Sequence, residues 1–122
     1  MIVTGLKQEK KRGCAQSRRV GAANAPNELN ALLGCILATR NLTDAMKSQL
    51  THLQHLLFRV GADLATPMDS KAKTQRIEAG HVTEIEKEIA SLESSLAPQQ
   101  KFILPGGSEA AALLHLARTF CR

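Results

Sequence analysis

The stretch TDAMKSQLTHLQHLLFRVGADLATP, Thr43 to Pro67, decides the fold. Its apolar residues Met46, Leu50, Leu53, Leu57, Val60 and Leu64 step by 4, 3, 4, 3 and 4. That spacing lays one stripe along one face of a long helix. Thr43 or Asn41 is placed to cap it, because a short side-chain oxygen accepts an unpaired N–H of the first turn. Thr66-Pro67 ends it, since the residue before a proline is pushed out of the α region.

Helical signals continue on both sides. Leu29, Leu32, Leu33 and Ile36 predict a helix from Asn27, with Pro26 at a suitable first-turn position. Met68 to Gly80 is polar and reads as a loop. Val82, Ile85, Ile89, Leu92 and Leu96 then predict a third helix, ended by Pro98. Thr83 and Glu86 are placed for a capping box there, although the start can equally lie at Gly80 or His81. Its acidic side, with Glu84, Glu86, Glu88 and Glu93, reads as a solvated face. Pro105-Gly106-Gly107 breaks the chain, and Ser108 is a good cap for a last helix running to Arg122. No segment carries a strand signal, so the expected fold is all-α: an antiparallel up-and-down bundle of four helices. The last helix bears a wide apolar stripe, Ala110, Leu113, Leu114, Ala117, Phe120 and Cys121. Covering it calls for a further helix, from another subunit or from sequence this chain lacks.

With 122 residues the chain is one domain at most. It has no Trp, no Tyr and three Phe, and its wealth of Leu and Ala favours helix over sheet. There is no run of about 18 apolar residues, hence no membrane span, and no secretory signal pattern. Cys14, Cys35 and Cys121 are scattered without metal spacing, which fits reduced thiols in a cytoplasmic protein. The net charge of +5 sits entirely in the first 20 residues; the other 102 hold ten basic and ten acidic side chains. Residues 1–26 are therefore read as a basic, mobile N-terminal segment and 27–122 as the bundle. The basic head has no aromatic residues for stacking bases, so nucleic acid is not the expected partner.

Few groups promise chemistry. His52 and His55 lie three apart but lack a third ligand at metal spacing, and read as surface histidines. Gly106-Gly107 before a helix start is a weak anion signal. Arg118 and Arg122, one turn apart, project from one face. They either complement the macrodipole at a helix C-terminus or hold an anion with two guanidinium forks. Spacing alone favours the macrodipole.

Three motifs add a resemblance. Asn27-Glu28-Leu29-Asn30-Ala31-Leu32-Leu33-Gly34, Leu56 to Pro67 (LLFRVGADLATP) and Phe102 to Arg122 (FILPGGSEAAALLHLARTFCR) occur in this order. Together they resemble the ATP:cob(I)alamin adenosyltransferases of the propanediol-utilisation type. The resemblance implies a five-helix bundle assembled as a homotrimer with active sites between subunits. It implies transfer of the 5′-deoxyadenosyl group of ATP to the cobalt of cob(I)alamin, with Mg2+ sharing the triphosphate charge and a corrinoid reductase as possible partner. On that resemblance Phe102 is the apolar wedge on the lower face of the corrin, and Arg118 and Arg122 hold the polyphosphate. The balance between the two arginine readings then reverses.

The sequence also departs from the family pattern. Only Val3-Thr4-Gly5 resembles the family's N-terminal nucleotide loop, and Asn27 stands where the family has an aspartate that pairs with the first arginine. The family continues past Arg122 into a fifth helix, so a truncated member is expected. The alternatives carried from the sequence are an inactive truncated member forming a helical oligomer, and a small basic interaction protein.

Overall fold

The computed structural model describes residues 24–121. Most of the basic segment assigned to 1–26, and Arg122, lie outside that range. Four helices are present among the described residues: α1 (24–37), α2 (Asp44–Ala65), α3 (Ala79–Ser94) and α4 (Glu109–Phe120). No strand occurs among them. α1 already includes residues 24–26, so the helix reaches further toward the N-terminus than Asn27.

The caps expected at two helix starts are in place. Thr43 accepts from Met46 N at 3.3 Å, and Ser108 accepts from Ala111 N at 3.2 Å. Thr66 closes α2, its N–H bonding to Ala62 O and Asp63 O. α3 begins earlier than the Thr83–Glu86 pair suggests. Glu78 is its N-cap, and the Glu78 N–H donates to His81 Nδ1 at 3.1 Å. Thr83 instead lies inside the helix and turns its hydroxyl back to Ala79 O at 3.2 Å, the usual fate of a mid-helix threonine.

α1 and α2 are joined by a reciprocal pair of amide bonds. Asn30 Nδ2 donates to Gln54 O at 3.3 Å, and Gln54 Nε2 donates to Asn30 O at 3.1 Å. Asn30 is only 6% exposed, and the Nδ2 bond offsets part of the cost of burying its amide, whose Oδ1 is buried without a partner among the described residues. Gly34 lies beside this pair: a β-carbon there would sit 3.5 Å from Gln54 Nε2, an ordinary contact. The core gathers around Ile36, which is 0% exposed, with Leu33, Leu42, Leu50, Ala110 and Ala117. It thus joins α1, α2 and α4. On α4 the two alanines permit close approach, and Leu113 and Leu114 pack against the same cluster.

α3 differs from its neighbours in burying no residue fully. Val82, Ile89 and Leu92 stay about half exposed, and Leu96 more so. Ile85, Ile89 and Leu92 form one wall of a groove of about 230 Å³ whose other side includes Met46, Leu53 and Leu114. The long stripe on α2 faces this partly open groove as well as the core. Of that stripe Met46, Leu50 and Leu53 line the groove; Leu53 and Leu57 are half-buried and Leu64 exposed, while Leu56, outside the stripe, is buried.

A polar clamp ties the α2–α3 connection. The Arg76 guanidinium binds the Asp63 carboxylate and also donates to the carbonyls of Asp63, Thr66 and Pro67 at 3.1, 2.9 and 2.9 Å. It thereby gives Thr66 O a donor at the end of α2 and adds a second one to Asp63 O and Pro67 O, which already accept from Thr66 N and Ser70 N. The other Asp63 oxygen accepts from Ile77 N at 2.8 Å. That backbone N–H, followed by the arginine, favours the carboxylate and holds the Asp63 pKa below its usual value. A depressed carboxylate stabilises the fold above its unfolded-state pKa, about 4, and the contribution disappears as pH falls through the lower folded value. Wild type should therefore exceed Asp63→Asn in thermal midpoint at pH 6, with the gap closing as the pH is taken below 4. A constant gap across that range would remove Asp63 ionisation from the clamp.

Candidate functional site

Residues 95–108 carry the chain from α3 to α4 without regular structure. Gly107 has φ +97°, in the left-handed region where a side chain is strained. The turn it permits sets Ser108 at the start of α4 and leaves the preceding segment outside the bundle. Phe102 is 107% exposed, and Ile103 and Leu104 are also open to solvent. Phe102 borders a shallow hollow of about 300 Å³ with Gln99, Gln100 and Lys101. A side-chain bond from Gln99 Nε2 to Lys101 O, 2.9 Å, braces that edge. A bare aromatic ring flanked by two exposed aliphatic residues is costly in water and suits an apolar surface laid against it.

Arg118 stands in the last turn of α4 and is exposed. It has no hydrogen-bond or ion-pair partner among the described residues. With Ala111, Leu114 and His115 it lines a second hollow, of about 250 Å³. Phe102 and Arg118 thus border different hollows of the single chain. Asn27 is exposed on α1, and no hydrogen bond joins it to Arg118 among the described residues. The placement of Arg122 relative to Arg118 falls outside the described residues.

His52 departs from the surface reading. It is half-buried on the side of α2 that meets α3, with Nε2 shielded from solvent and 4.0 Å from Glu84 Oε1. His55 is exposed. No group of three His, Cys, Asp or Glu side chains that could hold a metal ion occurs among the described residues. Nor is any helix among them long and apolar enough to cross a membrane. His115 escaped the sequence reading. Its signal was the 111, 115, 118 spacing, which sets it on the stripe of Arg118.

The fold and these hollows define an all-helical protein with an uncovered aromatic loop and a cationic helix end. Across residues 3–122 the sequence matches the Cobalamin adenosyltransferase family. A cobalamin adenosyltransferase of Cupriavidus metallidurans is 35% identical over 106 residues, 87% of this chain and 55% of that protein. A corrinoid adenosyltransferase of Mycobacterium leprae is 34% identical over 124 residues, 98% of this chain and 64% of that protein. Among solved structures, a phenylalanine-to-alanine variant of the PduO-type ATP:corrinoid adenosyltransferase from Lactobacillus reuteri, complexed with cobalamin and ATP, superposes with TM-score 0.74. It is 33% identical, over 84% of this chain and 57% of that one. An arginine-to-lysine variant of the Lactobacillus reuteri protein, complexed with ATP, gives 0.73 at 34% identity, over 84% and 58%. The chain belongs to the cobalamin adenosyltransferase family. It spans between 55% and 64% of the length of these two curated relatives.

Proposed function

We propose that this chain is a corrinoid adenosyltransferase, which moves the 5′-deoxyadenosyl group of ATP to the cobalt of cob(I)alamin. The family match over residues 3–122 supports this reading most strongly. The similarity to proteins complexed with cobalamin and ATP adds to it. The nucleophile is the substrate's own Co(I). Its electron pair forms a bond to C5′ of ATP, the C5′–O bond breaks, and triphosphate leaves with that bond's pair. The products are adenosylcobalamin and triphosphate.

The protein's share is positioning and electrostatics. Arg118 and Arg122 grip the polyphosphate and stabilise the charge that grows on the leaving group. Phe102 lies against the lower face of the corrin and keeps water and the dimethylbenzimidazole base from the metal. Removing that lower ligand makes the reduced state easier to reach. Asn27, an amide where the family has an aspartate, gives a neutral bond in place of a charge-assisted one. Mg2+ would share the negative charge of the ATP phosphates with Arg118 and Arg122.

The site belongs between neighbouring subunits of a homotrimer. This reading is supported by the separate hollows of Phe102 and Arg118, and by the exposed apolar residues of α3, the 102–104 segment and α4. A corrinoid reductase in the cytoplasm would supply the reduced substrate.

The test is direct. Protein, ATP, Mg2+ and chemically reduced cobalamin are mixed anaerobically, and adenosylcobalamin is followed by absorbance. Product with one triphosphate per corrin is expected. A folded sample that binds ATP yet yields no product would contradict the assignment.

A further inference from the structure

We propose that His115 is a further residue of the polyphosphate site, an N–H donor that acts with Arg118 on one phosphate chain. The identity of the ligand rests on the adenosyltransferase reading above. Ala111, Leu114, His115 and Arg118 stand at i, i+3, i+4 and i+7 of α4, one face over two turns, and together line the hollow of about 250 Å³. Each has a separate part in it. Ala111 is small enough to leave the space open. Leu114 packs against the core cluster and holds this face of α4 in place. His115 and Arg118 are the polar groups of the lining.

Ala111 and Leu114 make most of the hollow's wall apolar, and His115 and Arg118 give it N–H donors and a positive charge at one edge, where a phosphate chain can lie. The hollow is smaller than the roughly 300–1,000 Å³ of pockets that enclose a whole ligand. A run of phosphates with the nucleoside projecting beyond it is of a size to lie there. The single acidic residue of α4, Glu109, does not line it. His115 is half-buried and has no hydrogen-bond partner among the described residues. A neutral imidazole keeps one N–H in either tautomer, so the ring can donate to a phosphate oxygen. Being short, it loses less rotamer freedom on binding than an arginine does.

Calorimetry with ATP, inorganic tripolyphosphate and adenosine, at one pH and salt concentration, tests the assignment. His115→Leu should weaken ATP and tripolyphosphate alike by about tenfold, the loss of one charge-assisted hydrogen bond. His115→Gln, which restores an N–H at similar reach, should recover most of that loss. Thermal midpoints of both variants confirm that folding is retained; if His115→Leu fails to fold, His115→Ala takes its place. Unchanged affinity for both phosphorylated probes overturns the proposal. So does a loss confined to ATP, which would put His115 on the nucleoside, or weaker binding of adenosine. Arg118→Ala is measured in parallel. If that variant weakens both probes and His115→Leu neither, His115 alone is excluded; if Arg118→Ala also leaves both unchanged, the polyphosphate reading of the site fails with it.

Discussion

Phe102→Ala is expected to slow corrinoid adenosylation by on the order of a hundredfold, with ATP affinity and thermal midpoint unchanged. The expectation follows from where the ring sits. At 107% exposure Phe102 has no packing to lose, so its removal creates no cavity and costs the fold little. It borders a hollow separate from that of Arg118, so the nucleotide contacts remain. On the proposed function, what the ring would supply is an apolar cover for one face of the corrin. Without it, water or the dimethylbenzimidazole returns to the cobalt and the reactive state is harder to reach. Single-turnover absorbance with saturating ATP separates these effects. A variant that turns over at the wild-type rate would remove the wedge, and a variant that loses ATP affinity instead would move Phe102 to the nucleotide.

Arg118→Ala should act on the opposite substrate. Hydrogen bonds to charged groups contribute roughly 1.5–3 kcal/mol, which corresponds to a ten- to hundredfold weaker ATP dissociation constant. Stability should change little. Arg118 is exposed at the C-terminal end of α4, where a cation contributes about 0.3–1 kcal/mol against the macrodipole. Arg118→Lys should fall between the two, because an ammonium keeps the charge but loses the planar fork. If Arg118→Ala bound ATP normally while its thermal midpoint fell, the side chain would belong to the helix end alone.

How much of this was legible in the sequence depends on how local each cause is. Thr43, Thr66-Pro67 and Ser108 act within one turn, and all three helix boundaries were read from them. For α3 the Thr83–Glu86 pair is a false start, because the first turn uses His81 in the role that glutamate or glutamine fills in the familiar pattern; the other start, Gly80, lies one residue from the observed Ala79. Arg76 looked like one more charge in a polar loop. Its partner, Asp63, is 13 residues away in the chain, and only the turn after α2 brings them together. The apolar period of α3 was visible, but period alone does not reveal whether a face is covered, and here much of it is not. Leu56 is buried although it lies off the α2 stripe, and it stands outside the main core cluster.

The candidate site shows the same division. Phe102 and Arg118 are legible only through a family resemblance; what the structure adds is that both are exposed. His115 needed the three-dimensional hollow, since a lone histidine on an Ala/Leu helix carries no chemistry by spacing alone. His52 required the neighbouring helix, because its shielded nitrogen is a consequence of α3 lying beside α2.

The most direct measurement of the central claim is the electron spin resonance spectrum of cob(II)alamin added to the wild-type protein with saturating ATP. If the chain binds the corrin with Phe102 against its lower face, the coupling from the dimethylbenzimidazole nitrogen disappears, and it returns in Phe102→Ala. A nitrogen coupling that persists unchanged in the wild-type complex would contradict the account.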